Sequence, residues 1–396
     1  MKTYLNALGV VCALGAGKAA VAEALFAGVD VGIQHEPNWV PNREVPLGAA
    51  RMTLPSVPDA LLSTRDNRNN QLLLAAALEI EPAIRDAMAR YGGERIGVIV
   101  GTSTTGIDEA TRGIGGYRRD GVWPHDYRYA HQELGAPAAF LAEWLGLAGP
   151  CYGISTACTS SARALLSARR LLRMGVCDAV LCGGADTLCG LPINGFHALE
   201  AVDSERCNPF SLQRRGINVG EAAALFLMTR DHGPVQLFGG GASSDAHHMS
   251  SPDPQGLGAQ AAMRAALADA AIHAEQIDYL NLHGTATEQN DAMESIAVAA
   301  MFPHGVPCSS TKSLTGHTLG AAGALEAAFC WLSLSDARSQ RRLPPHVWDG
   351  QPDPSLPSLD LVMQDGHLPE GRGRYLMSNS FAFGGNNACL ILGDAA

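Results

Sequence analysis

Apolar residues along this chain fall into two rhythms. "RIGVIVG" (95–101) and "DAVLCGGAD" (178–186) are short, near-continuous apolar runs, as expected of strands buried on both faces. "PAAFLAEWLGL" and "SSARALLSARRLLRMG" read as helices, the second stopping at Gly175. "CYGISTA" reads as a strand running into a turn. Strands alternating with helices predict an α/β protein with a parallel or mixed sheet.

The second half of the chain repeats the first. "GPCYGISTACTSSARALLSARRLL" has a counterpart in "GVPCSSTKSLTGHTLGAAGALEAAFCWLSL", and "DAVLCGGADTLCG" one in "RYLMSNSFAFGGNN". Each first member gives a short strand, a Ser-Thr pair, a turn and a helix that opens with small residues. The repetition predicts two similar α/β units, residues 1–232 and 233–396, with a seam near "TRDHGPVQ" (229–236). "PNWVPNREVP" and "QPDPSLPSLD" are Pro-rich surface loops.

Composition narrows the class. The chain has 396 residues, 46% hydrophobic and 17% charged, which is globular and not disordered. A net charge of −11 argues against broad nucleic-acid binding. No apolar stretch approaches the ~20 residues of a membrane span, and the N-terminus reads as a first strand and not a signal peptide. The ten cysteines form no CxxC pair, which fits reduced thiols in a cytoplasm.

Four stretches carry chemistry. In "GISTACTSSARAL", Cys158 follows a strand and opens a helix. Free N–H groups and the helix dipole there favour a thiolate, lower the thiol pKa and can hold an oxyanion. A buried inert cysteine is the equal alternative on this stretch alone. "LNLHGTATEQND" delivers His283 at a strand end, where α/β proteins form their crevices. "SSTKSLTGHTLGAAGALEAA" places Lys312 and His317 before a helix bearing Glu326, a candidate partner for the lysine. "SNSFAFGGNNACL" sets Phe381 and Phe383 beside Gly384 and Gly385, a turn that brings backbone close to a ligand.

At these residues the sequence resembles the β-ketoacyl-acyl-carrier-protein synthases of the Cys-His-His type. "GPCYGISTACTSSARAL", "SSDAHHMSSPDP", "NLHGTATEQND", "SSTKSLTGHTLGAAGALE" and "SNSFAFGGNNA" occur in the family's order across nearly the whole chain. The resemblance implies a thiolase-like fold, two similar halves in a five-layered α-β-α-β-α core. It implies Cys158 as the acyl-accepting nucleophile, and His283 and His317 as the pair promoting malonyl decarboxylation. Lys312 with Glu326 would balance charge around them. The N–H groups of Cys158 and Phe383 would form the oxyanion hole. Phe383 would gate the extender, with Phe381 beside it. Ser250, Thr285 and Thr287 match contacts to the phosphopantetheine arm. The product would be a 3-oxoacyl thioester, made with no metal or other cofactor. The partner would be an acyl carrier protein, docking near Arg65 and Arg68, with Arg206 a further candidate. A homodimer is expected, with a chain-length-factor heterodimer as the alternative.

The chain departs from the family pattern. "RRGINVGEAAA" carries Arg215 in place of an acid and Ile217 in place of an aromatic residue, with Ala222–Ala224 where glycines are usual. Asn386 stands where Thr is usual. Thr104 occupies a position that is often aliphatic. A polar pocket wall at Thr104 would suit an unsaturated or functionalised chain, as in specialised polyketide or polyene assembly. The pair His247–His248 has no Cys or carboxylate spacing that would make a metal site, and the resemblance puts it in an entrance loop. A thiolase would need a second catalytic cysteine, and Cys389 lies deep in a strand-like run. His317 argues against a Cys-His-Asn synthase. Cys158 with both histidines and Lys312 argues for an active subunit over a chain-length factor.

Overall fold

The computed structural model describes residues 1–29, 31–335, 341–370 and 373–394. One sheet of twelve hydrogen-bonded strands runs through it, beside a separate hairpin of Ile33–Val40 and Arg43–Gly48 that takes in most of the expected "PNWVPNREVP" loop. Two of the twelve are only two residues long, Gly15–Ala16 and Asp360–Leu361. The other ten make two five-stranded sheets of one topology.

The first sheet comprises β1 (Tyr4–Cys12), β2 (Ile96–Gly101), β3 (Cys151–Ile154), β4 (Ala179–Asp186) and β5 (Ala222–Thr229). Its spatial order is β1-β5-β4-β2-β3. The second comprises β6 (Val235–Ser244), β7 (Ile277–Asn281), β8 (Pro307–Ser309), β9 (Tyr375–Ala382) and β10 (Asn386–Asp394), in the order β6-β10-β9-β7-β8. In each sheet the first two neighbouring pairs are antiparallel and the last two parallel. A short antiparallel pairing of β1 with β6, Leu5 opposite Val235, joins the sheets.

The helices repeat as well. α1 (Arg68–Glu79), α2 (Ala136–Leu145) and α3 (Ser160–Arg173) in the first half answer to α4 (Leu257–Ala270), α5 (Glu288–Met301) and α6 (Ala322–Ser335) in the second. α3 and α6 lie between the sheets. Their Leu165, Leu172, Leu325 and Phe329 share a core with Ile99, Cys182 and Phe226 of one sheet and Leu376, Leu390 and Leu392 of the other. The outer face of the first sheet, through Val98, Val100 and Leu181, packs on Leu72 and Leu73 of α1 and Phe140 of α2. The outer face of the second, through Leu280, Met377 and Ile391, packs on Met263 of α4 and Val298 of α5. Alternate strand residues thus face two apolar layers, which is why the runs in β2, β4 and β5 are apolar without interruption. The fold is thiolase-like, layered α-β-α-β-α.

Small residues set the central spacing. A Cβ on Gly101 would lie 2.3 Å from the Ser161 nitrogen, and one on Gly323 would lie 2.7 Å from the Ala162 Cβ. Ser161 Oγ accepts a hydrogen bond from Ala324 N at 2.8 Å, tying α3 to α6 where both helices begin. This close approach brings the loops ahead of the two helices to one place.

Candidate active site

The loop ahead of α3 carries Cys158. Ala157 holds a left-handed φ of 52°, a strained position for a residue with a Cβ. Thr156 N donates to Ser160 Oγ at 2.9 Å, and Thr159 Oγ1 to Thr156 O at 2.8 Å, so the hydroxyls around the cysteine brace this turn. The N–H groups of Cys158 and Phe383 donate to no backbone carbonyl among the described residues, as an oxyanion hole requires.

His283 stands two residues beyond β7. Its N–H and that of Gly284 donate to the two oxygens of Glu294 on α5, at 2.8 and 2.7 Å. Asn379 of β9 donates to the same carboxylate at 3.3 Å. His317 follows a short helix, Lys312–Thr315, and its backbone bonds Asn218 and Gly220 on both sides. The two imidazole rings are 5.2 Å apart and nearly perpendicular. His317 Nε2 lies 2.9 Å from Cys158 Sγ. One ligating atom from each of Cys158, His283 and His317 falls within 4.8 Å of the others, all buried.

Lys312 is fully buried behind His283. Its ammonium donates to the carbonyl of His283 and to Glu326, and lies 3.5 Å from His283 Nδ1. An ammonium can only donate, so Nδ1 of His283 faces it as a lone pair and the ring proton sits on Nε2. Nδ1 of His317 has no partner among the described residues. A bare lone pair is less costly than a bare N–H, so its proton too belongs on Nε2. Burial, then the Lys312 charge, hold both histidines well below the usual imidazole range. Both are neutral donors.

The thiol departs from the sequence expectation. A helix start was expected to lower its pKa. Burial instead pushes Cys158 up to about 12, outweighing the opposing pull of Lys312. The resting site is a neutral thiol beside a neutral imidazole.

Two cavities meet at Cys158. An access cavity of about 470 Å³ is lined by Cys158, His283, His317 and Phe381, and by Ser250, Thr285 and Thr287. A second cavity of about 280 Å³ has Cys158 at its mouth, with Thr104, Ile107, Cys189, Pro192 and Leu319 as walls. Phe383 and Phe196 line both, their rings 5.5 Å apart. Phe383 is 37% exposed, on a turn whose Gly384 and Gly385 have φ of 82° and 74°. Phe381 is buried 6.0 Å from the His283 ring, so it is a wall and not a lid.

Other expectations change. Thr104 does line the inner cavity, but its hydroxyl donates to Asp186 at 2.9 Å and accepts from Thr187 N at 3.1 Å. Its proton is taken by Asp186, so Thr104 has no donor left to offer an acyl chain. Arg65 is paired with Glu143 at 2.9 Å. Arg68 is held by the buried Glu221, its Nε at 2.9 Å. Both guanidiniums are engaged within the fold, yet the Arg68 side chain stays 41% exposed and the Arg65 pair lies at the surface. Arg206 is half-buried. His248 bonds Ser250 and gathers no ligand set. Cys389 donates to Asn379 from within β10, away from Cys158.

Sequence reading missed three supports. Glu294 orients the His283 turn. Phe196 seats the Phe383 ring. Asp186, fully buried at the end of β4, accepts from Thr102, Ser103 and Thr104 of one half and from Gly320 N of the other, at 2.6 Å. It ties the inner cavity wall to the turn that carries His317. A carboxylate within an otherwise apolar run was the available signal for Asp186 and Glu294. Nothing local marked Phe196.

Comparison with known proteins gives one family. The model of the β-ketoacyl synthase N-terminal domain matches residues 65–233, and that of the C-terminal domain residues 236–346. Nodulation protein E of Rhizobium meliloti is 36% identical over 267 residues, 64% of each chain, so that match spans a little under two thirds of the relative. The chloroplastic 3-oxoacyl-[acyl-carrier-protein] synthase I of Hordeum vulgare is 31% identical over 77% of this chain and 69% of its own. A ketosynthase solved in complex with its chain length factor, from Xenorhabdus doucetiae, is 46% identical, with a TM-score of 0.93 over 100% of this chain and 98% of that one.

Proposed function

This chain belongs to the β-ketoacyl synthase family, and we propose that it condenses an acyl group held on Cys158 with a malonyl-acyl-carrier protein. The observation that carries this is the convergence of the Cys158 thiol with two neutral imidazoles, where the access cavity meets the inner one.

In the first half-reaction the Cys158 sulfur attacks the thioester carbonyl of the incoming acyl group. The N–H groups of Cys158 and Phe383 hold the oxyanion. The carrier thiol departs with the proton that the cysteine gives up, and the acyl chain enters the inner cavity. In the second, a malonyl thioester occupies the access cavity with its carbonyl oxygen between Nε2–H of His283 and Nε2–H of His317. The bond to the carboxylate breaks, carbon dioxide leaves, and the electron pair becomes an enolate held by those two donors. Its carbon attacks the acyl-Cys158 carbonyl. The C–S bond breaks, leaving 3-oxoacyl-carrier protein and the free cysteine, which regains a proton. Lys312, paired with Glu326, keeps both histidines neutral and aims Nε2–H of His283 forward. No cofactor is part of this scheme. The Cys-His-His spacing would suit a metal, but the ammonium beside His283 disfavours a second cation there.

The acyl carrier protein is the proposed partner. Similarity to a ketosynthase solved with its chain length factor favours a second, chain-length-factor-like subunit over the homodimer expected from sequence. The pathway proposed is fatty acid or specialised polyketide synthesis. No described helix is long and apolar enough to cross a membrane, and a cytoplasmic location is part of the proposal.

The test is mass spectrometry after incubation with a series of acyl-carrier-protein thioesters. An acyl adduct on Cys158 supports the reading and reports the preferred chain. No adduct with any donor overturns it.

A further inference from the structure

Arg215 is the only arginine or lysine among the described residues lining the access cavity. The other charged side chains around it are acids, Glu200, Asp245 and Glu288. Its guanidinium is exposed and makes no hydrogen bond or ion pair with a described residue. Its charge acts on Asp203, a buried carboxyl that accepts from Glu205 N. The contrast with its neighbour is sharp. Arg214 is nearly buried and pairs with Asp353 at 2.6 Å.

The strap that bears Arg215 is pinned. Ile217 N donates to Ala201 O at 2.8 Å, and Asp203 N to Ile217 O at 3.0 Å. Gly216 has φ 138°, and a Cβ there would lie 2.3 Å from Ala201 O. A free cation therefore stands on a fixed base at the side of a cavity whose floor is the nucleophile.

We infer that Arg215 binds the phosphodiester that joins the carrier protein to its phosphopantetheine arm. This rests on the condensing function proposed above. Two anions enter this cavity, the malonyl carboxylate and that phosphodiester. The carboxylate is bonded to the carbon next to the thioester carbonyl, so it must lie by Cys158, His283 and His317, which are all buried. The phosphodiester terminates the far end of the arm, at the exposed rim. Between these points the walls offer hydroxyls and amides, through Ser250, Thr285, Thr287 and Asn290, which suit the neutral amides of the arm. A guanidinium binds phosphate oxygens through paired N–H groups, and an unpaired one surrenders no existing contact to do so.

The test compares two small donors with the same acyl group, one on pantetheine and one on 4′-phosphopantetheine, by the rate of adduct formation on Cys158. The wild type should react about tenfold faster with the phosphorylated donor at low ionic strength, an advantage that shrinks several-fold in ~0.5 M salt. Arg215→Ala should react equally with both, at the wild-type rate for pantetheine. Arg215→Lys should keep part of the advantage. An Arg215→Ala enzyme that retains the phosphate advantage, or slows equally with both donors, overturns the inference and leaves the condensing function standing. If the wild type forms no adduct with these donors or with the acyl-carrier-protein thioesters, both readings fall.

Discussion

Sγ of Cys158 and Nε2 of His317 lie 2.9 Å apart, across a seam where the two halves of the chain meet. Burial holds both groups neutral. A thiol raised to about 12 by burial is almost wholly protonated at neutral pH. Alkylation of Cys158 by iodoacetamide should therefore climb about tenfold per pH unit from pH 7 to 10, with no plateau. A plateau near pH 7, followed by mass spectrometry of the modified peptide, would show a resting thiolate and sink this picture.

Lys312 and Glu326 are each buried, and each is the other's charge partner. Lys312→Met leaves a buried carboxylate without its cation and should cost about 3–5 kcal/mol in urea unfolding. Lys312→Met with Glu326→Leu should regain more than half of that. The double variant should still fail to form 3-oxoacyl product, because His283 has lost the charge behind Nδ1. Recovery of product formation together with stability would make the pair purely structural.

Glu294 is buried and raised from 4.5 to about 7, burial outweighing the two N–H groups that it accepts. Between those values the unfolded chain has released a proton that the folded chain keeps. Stability therefore falls as pH rises from about 4.5 to 7, by on the order of 3 kcal/mol from this group, and is flat above. Glu294→Gln should be less stable at every pH, since one of two facing N–H groups loses its acceptor. It should also show a smaller drop between pH 5 and 8. Urea unfolding at the two pH values checks this, and an unchanged drop counts against it.

The inner cavity, about 280 Å³, sets the length of acyl chain that Cys158 can accept. Straight acyl chains longer than the cavity should load onto Cys158 more slowly. Ile107→Phe should move the preference to shorter chains and Ile107→Ala to longer ones. Adduct yields across a chain-length series decide it. Thr104→Val, which removes a hydroxyl already bonded to Asp186, should leave the preference unchanged.

Much of this was legible because it is local. Apolar runs of strand length, alternating with helices, carry the layered fold, since a strand buried on both faces has no polar face to show. The repetition of "CYGISTA" in "PCSSTKSLTGH" marks the two loops that meet. Cys158, His283, Lys312 and His317 each sit in a short stretch whose glycines and hydroxyls betray a turn at the end of a strand.

What the tertiary structure alone decided is whatever depends on partners distant in sequence. The Cys158 pKa follows from burial by both halves, which outweighs the helix start that the local sequence shows. Arg65 and Arg68 look like free charges until Glu143 and Glu221 are brought against them. Thr104 looks like a polar wall until Asp186 engages its hydroxyl. Arg215 is the reverse case: a change of charge with no meaning in sequence, left without a hydrogen bond or ion pair to any described residue beside the cavity that leads to Cys158. Sequence determines which groups are present and which turns carry them. Desolvation and pairing, set by packing across some 160 residues between Cys158 and His317, determine what charge each one bears.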